Sequence, residues 1–407
     1  MQKKFNIEGK MIGPLSIKSK SILKKKILVI AGTIVFASFI ICLTACLSLN
    51  LSSFRKERKI KIIESSNYIR TEKIFKNKYI DKEIYQGSTL EVFKKYCFGN
   101  QNSVPDMLID VVTLNRDSFA SAMKNELKIT WLGHSSTVIE LEGNIILIDP
   151  MFSERPSPIS FIGPKRYHKS LPLKPGDFPK IDMVIISHDH YDHLDHDTII
   201  KIHKKVKRFI VPLAVGVYLE EWGVDPHKIT ELDWMQNTII NGIKLIATPA
   251  QHYSGRSILN NYKTLWSSWV IIGKKHRVFY SGDSGYNNII FRKIGKQFGP
   301  FDVALIECGQ YHKGLLKIHM LPEQALQAHL DIKGKVMIPV HWGAFNLSIH
   351  DWYEPVERAL EEALKHNIIV ATPKIGQTYT YGKKIPVVRW WDKFKSKKVS
   401  SVYNITK

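Results

Sequence analysis

Nine consecutive residues carry most of the chemistry this chain could do: Ser187-His188-Asp189-His190-Tyr191-Asp192-His193-Leu194-Asp195. Six of the nine offer imidazole or carboxylate, and none is a thiol. They follow the apolar run 183–186, which reads as a buried strand. In extended chain leaving a strand, side chains repeat every two residues, so His188 and His190 point the same way. Asp192 and His193 fall on the next turn, placed to face a second ion beside the first. Imidazole mixed with carboxylate suits zinc, iron or manganese, whereas calcium takes mostly oxygen. A solvated polar loop is the bland alternative, and it accounts poorly for three His and three Asp in nine positions.

More ligand types stand where other strands should end. His252 follows the run 243–250, Asp283 sits in Ser281-Gly282-Asp283-Ser284-Gly285 after 278–281, and His341 follows 336–340. Each alone reads as a loop residue or an ordinary turn. Together they deliver, from three strand ends, what the first cluster needs for completion, and a sheet edge is where such sites are built.

The elements that must position them begin near Lys128. Strands are expected at 129–132, 136–141, 145–148, 183–186, 209–211, 243–247, 269–272, 278–281, 303–306, 336–340 and 368–371. Helices are expected at 197–206, 322–330 with Pro322 at the start, and 356–366 with Glu357 early and Lys365 and His366 late. Two β-rich halves, each followed by helix, imply an α/β chain with two sheets face to face and helices outside.

At 407 residues and 44% hydrophobic, the chain can bury a large core. Its formal charge of +22 calls for an anionic partner or surface. No nucleic-acid-binding motif accompanies that charge, so no nucleic-acid partner is expected. Residues 27–45 are uncharged and mostly apolar after Lys24-Lys25-Lys26, long enough to span a bilayer. They end in Leu43-Thr44-Ala45-Cys46, similar to a bacterial lipobox, so Cys46 is a candidate for lipidation; an uncleaved anchor is the competing reading. The cationic flank at 24–26 favours the N-terminus inside and the large domain outside, at a bacterial membrane. The expected organisation is a signal or anchor segment at 1–46, a basic arm at 47–125, a domain carrying the candidate ligands at 126–382 and a basic, solvated tail at 383–407. Four cysteines give no disulfide framework, although Cys97 and Cys308 could pair.

His-Asp-His-Tyr-Asp-His at 188–193 followed by His252, Asp283 and His341 resembles the metallo-β-lactamase superfamily, an αββα sandwich with one or two metals. Further stretches are similar to its N-acylphosphatidylethanolamine-hydrolysing phospholipase D branch and bacterial relatives: Trp131-Leu-Gly-His-Ser-Ser136, Asp149-Pro-Met-Phe-Ser153, Gly163-Pro-Lys-Arg166, Pro249-Ala-Gln-His-Tyr-Ser254, His319-Met-Leu-Pro-Glu323 and His341-Trp-Gly-Ala-Phe345. Glu307-Cys308-Gly309-Gln310-Tyr311 departs from that branch, which is more apolar there. The resemblance implies one Zn2+ on His188, His190 and His252, another on Asp192, His193 and His341, and Asp283 bridging both. It implies that His319 approaches the substrate phosphate as a donor. Two close cations repel, so an anionic bridge of Asp283 and a nucleophilic hydroxide is expected on charge grounds as well. Asp189 and Asp195 are expected to orient histidines or fix the loop, and His134 is given a mainly structural role. The implied activity is phospholipase D-type hydrolysis of N-acylphosphatidylethanolamine at an anionic membrane surface. Lactone or other ester hydrolysis by the same centre is the alternative, nucleic-acid processing a weaker one, and oligomers are possible.

Overall fold

The computed structural model describes residues 56–77, 102–119, 125–257 and 260–396. The expected membrane segment, its candidate Cys46, and Cys97 lie outside the described residues. Among the described residues no helix is long and apolar enough to cross a membrane.

The arm begins with α1 (Lys56–Glu64) and a small hairpin of β1 (Tyr68–Ile69) and β2 (Ile74–Phe75). It is fastened by buried polar contacts. Arg58 of α1 pairs with Glu220 at 2.7 Å and Glu231 at 2.8 Å. Asn67 Nδ2 donates to Asp233 at 2.7 Å, and Asn77 Nδ2 donates to the His252 carbonyl at 3.1 Å.

Two seven-stranded sheets follow. The first contains β3 (Leu127–Gly133), β4 (Ser136–Leu141), β5 (Asn144–Ile148), β6 (Ile181–Ile185), β7 (Val206–Pro212), β8 (Ile229–Leu232) and β16 (Thr378–Thr380), in the order β16-β3-β4-β5-β6-β7-β8. The second contains β9 (Asn237–Ile240), β10 (Ile243–Thr248), β11 (Ser268–Ile272), β12 (Arg277–Tyr280), β13 (Phe301–Glu307), β14 (Gly334–Val340) and β15 (Ile369–Val370), in the order β15-β14-β13-β12-β11-β10-β9. Both sheets repeat one plan, antiparallel strands first and parallel strands after. Alternate residues of each, Ile129 and Trp131 from one and Leu245 and Trp269 from the other, enter a single continuous core. Trp269 Nε1 crosses it to donate to the Ile186 carbonyl at 3.0 Å. The central strands are buried on both faces, so they read as apolar runs without alternation.

The outer helices are α2 (His196–Ile202), α3 (Gly216–Glu221), α4 (Asn288–Phe298), α5 (Pro322–Asp331) and α6 (Glu354–His366). Helices α4, α5 and α6 pack in a row, with α5 lying on β13 and β14. Helix α4 escapes a reading of the sequence because Gly295 interrupts it. A Cβ there would stand 2.1 Å from the Asp331 carbonyl, so the glycine is what lets α4 and α5 approach. Strands β8, β9 and β16, also unexpected, are short edge or near-edge pieces.

The C-terminal segment differs from a solvated tail. Trp390, Trp391 and Phe394 are buried, and Trp390 stacks on Trp342 with centroids 5.5 Å apart. Lys393 pairs with Asp110, and Lys395 with Glu357 at 2.6 Å. The apolar run simply had nowhere local to pack, and its partners are far away in sequence.

Candidate metal centre

Parallel pairing levels the strand ends. Ile148 of β5 pairs with Ile185 of β6, Tyr280 of β12 with Leu305 of β13, and Glu307 of β13 with Val340 of β14. The residues just beyond therefore emerge along one edge of the sandwich: Asp149, Ser187 to His193, Asp283 and His341. His134 joins them from the β3–β4 turn, and His252 from the end of β10. His134, Asp149 and His341 hold φ of +51°, +37° and +66°, a region where non-glycine residues are strained by about 1–3 kcal/mol each. Gly282, at φ +56°, has no room for a Cβ, which would lie 2.9 Å from Ser187 Cβ. That close approach brings Asp283 against the strand end carrying His188.

All seven expected ligands converge. His188, His190, His252 and Asp283 form one group, and Asp192, His193 and His341 a second with His134, the ligand atoms of each lying within 4.8 Å of one another. Asp283 Oδ2 reaches both: it is 3.1 Å from His193 Nε2, 3.2 Å from His341 Nε2, 3.7 Å from His188 Nε2 and 3.8 Å from His252 Nε2.

The rear nitrogens of three ligand rings are held, which turns their other nitrogens inward as lone-pair donors. His193 Nδ1 is 2.7 Å from Asp149 Oδ2, His188 Nδ1 is 2.9 Å from Ser187 Oγ, and His252 Nδ1 donates to the Ile318 carbonyl at 2.9 Å. His188 Nε2, His193 Nε2 and Asp283 Oδ1 are buried with no hydrogen-bond partner. Unpaired buried polar atoms cost about 1–3 kcal/mol each, and here they belong to side chains of the two ligand groups. A divalent cation satisfies all of them at once, so the donor set fits a pair of metals.

The charge balance agrees. Burial pushes His188 and His252 well below the usual histidine range. Burial also opposes charge on His193 and His341, yet the adjacent carboxylates win, raising His193 well above its ordinary value and His341 to about 10. Asp283, despite burial, is held well below the carboxylate range by His193 and His341. In the ion-free chain, protons on two histidines supply the positive charge that a metal otherwise brings.

Other expected residues take definite places. Asp189 fixes the loop, accepting from Gly255 N at 2.7 Å and Thr264 Oγ1 at 2.8 Å. Asp195 accepts from Ser153 N at 2.9 Å, tying the two strand-end loops together. His134 is more than structural: its Nε2 is 2.8 Å from Asp192 Oδ2, and burial lowers its pKa to about 3, so the neutral ring donates and orients that carboxylate. His319 does not cap α5, whose N-cap is Leu321, bonded instead through the Gln324 side chain. Its ring stacks on His341 at 5.2 Å.

Asp149, Ser187, Glu307 and Arg256 hold ligand side chains or their loops, contacts that reading the chain did not assign. Asp149 and Ser187 do follow strands, which was the available signal. Arg256 gave none: Nη1 donates to the carbonyls of Asp189 at 2.8 Å and Leu194 at 2.7 Å, clamping both ends of the ligand loop beneath the Tyr191 ring.

Two mixed sheets with a divalent-metal centre along one edge define a metal-dependent hydrolase of the metallo-β-lactamase fold. The Beta-lactamase superfamily domain matches residues 144–342. An uncharacterized protein of Mycobacterium tuberculosis is 41% identical over 271 residues, 66% of this chain and 72% of that one. N-acyl-phosphatidylethanolamine-hydrolyzing phospholipase D 1 of Caenorhabditis elegans is 34% identical over 275 residues, 64% of this chain and 76% of its own. Igni18, a metallo hydrolase of Ignicoccus hospitalis, covers 64% of this chain and all of its own at 24% identity and a TM-score of 0.48, too low to add to the sequence match. The chain belongs to the metallo-β-lactamase superfamily.

Proposed function

We propose that this centre hydrolyses the phosphodiester of N-acylphosphatidylethanolamine, releasing phosphatidic acid and an N-acylethanolamine. The observation carrying the reading is that one carboxylate oxygen, Asp283 Oδ2, stands within 3.8 Å of imidazole nitrogens from both ligand groups. The lipid is supported by the 34% identity to the C. elegans phospholipase. Two divalent cations, zinc in the first instance and iron or manganese otherwise, would supply Lewis acidity toward the phosphoryl group and acidify water to a pKa of about 7.

The protein's own part is positioning. His188, His190 and His252 would hold one cation, Asp192, His193 and His341 the other, and Asp283 both. His134 keeps Asp192 turned inward, and Asp149 does the same for His193. No thiolate competes as nucleophile among the described residues, because burial pushes the Cys308 thiol far up. The same reading places the protein at an anionic bacterial membrane surface, with the catalytic domain outside. Phe161, 77% exposed, and the exposed Ile162 offer an apolar loop tip between Arg155 and Lys169 for contact with that surface.

The test is product analysis with N-acylphosphatidylethanolamine in mixed vesicles. Zinc-loaded protein should release phosphatidic acid, and chelated protein none. Full metal occupancy without release overturns the lipid reading and favours an ester substrate.

A further inference from the structure

Glu307 opens the stretch 307–311, where this chain departs from the phospholipase branch it resembles, and it lies directly behind the centre. The side chain is fully buried. Its Oε1 accepts backbone N–H from Ser284 at 2.9 Å and from Met320 at 3.2 Å. Its own N–H donates to Ser281 Oγ at 3.0 Å. The other oxygen, Oε2, lies 2.9 Å from His319 Nδ1 and 3.4 Å from His341 Nδ1, the second distance reaching ion-pair range without hydrogen-bond geometry. One carboxyl group thus ties the Asp283 loop to the His319 loop and stands behind two rings stacked within 15° of parallel.

We infer that Glu307 is a positioning residue that pins a proton on His319 Nδ1. Only Nε2 of His319 is then left to meet a substrate, held in the same stacked orientation as the ligand His341. The inference rests on the metal-hydrolase reading and not on the choice of lipid. The physical reason is donor counting. Two backbone N–H groups occupy one oxygen, and in the ionised carboxylate the opposite oxygen is an acceptor as well. A carboxylate meets donors on both sides. A glutamine cannot, because it offers one acceptor and one amide donor. In Glu307→Gln the oxygen stays with Ser284 and Met320, the amide NH2 turns to His319, and Nδ1 has to become an acceptor. The proton of the neutral ring moves to Nε2.

The experiment is a long-range proton–nitrogen correlation spectrum of 15N-histidine-labelled, zinc-loaded full chain, with His319→Gln assigning the resonance. Wild type should carry a proton on His319 Nδ1, and Glu307→Gln should carry it on Nε2 alone. Zinc content, measured alongside with zinc in excess, should stay near wild type in both variants. Cleavage of N-acylphosphatidylethanolamine, or of bis(4-nitrophenyl) phosphate if the lipid is not cleaved, should fall about 10–100-fold in each variant and no further in the double variant. A neutral His319 in wild type protonated only at Nε2 overturns the inference, and this reading needs no known substrate. Multiplicative losses in the double variant also overturn it.

Discussion

His193 Nδ1 and Asp149 Oδ2 lie 2.7 Å apart, both fully buried, at the ends of neighbouring parallel strands. The same carboxylate oxygen takes the Tyr280 hydroxyl from the opposite sheet. A single side chain therefore fixes the orientation of one candidate ligand histidine and joins the two halves of the sandwich beneath the candidate metal centre.

Asp149→Asn should keep the fold and weaken the metal group of Asp192, His193 and His341. Zinc affinity there is expected to fall about 10–100-fold, because the amide holds the His193 ring less firmly and lowers its basicity. Competition with a chromophoric chelator measures this. Unchanged affinity at both sites would remove Asp149 from the account.

The ion-free protein should show an unusual alkaline weakness. His341 is raised from about 6.5 to about 10, so the stability it contributes is complete below the unfolded value and is lost as pH rises through the folded one. Chelated protein should lose melting temperature between roughly pH 6.5 and pH 10, while zinc-loaded protein should not. Zinc binding at pH 7 should correspondingly release protons, read by calorimetry in buffers of different ionisation enthalpy. Buffer-independent heats would contradict the proposed charge exchange.

Arg256→Leu removes both hydrogen bonds that close the ligand loop. Zinc affinity is expected to drop about tenfold or more with little change in the far-ultraviolet spectrum, since the clamp lies outside the sheets. An affinity equal to wild type would show that the loop holds its shape unaided.

Trp391→Ala should destabilise by about 3–5 kcal/mol, the cost of a large cavity in a packed core. Its ring is fully buried, edge-on to Trp342, and its Nε1 donates to Glu357 at 2.6 Å. Lys393→Ala, which breaks an exposed pair with Asp110 and a cation–π contact with Phe394, should hardly change the denaturation midpoint. Equal effects would mean that the segment is not part of the core.

The sequence by itself determined the ligand set and most of the strands. Side-chain direction in extended chain has a period of two, and five of the seven candidate ligands stand one to five residues past an apolar run. Both facts are local, so His188, His190, His252, Asp283 and His341 could be picked out one by one. Tertiary structure alone decided which nitrogen of each ring faces inward. Those choices depend on Asp149, on the Ile318 carbonyl and on Glu307, which arrive from other strands through parallel register. It also decided that 390–394 belongs to the core and that His134 serves Asp192. Local pattern records what a side chain can do; a partner distant in sequence fixes the one orientation in which it acts.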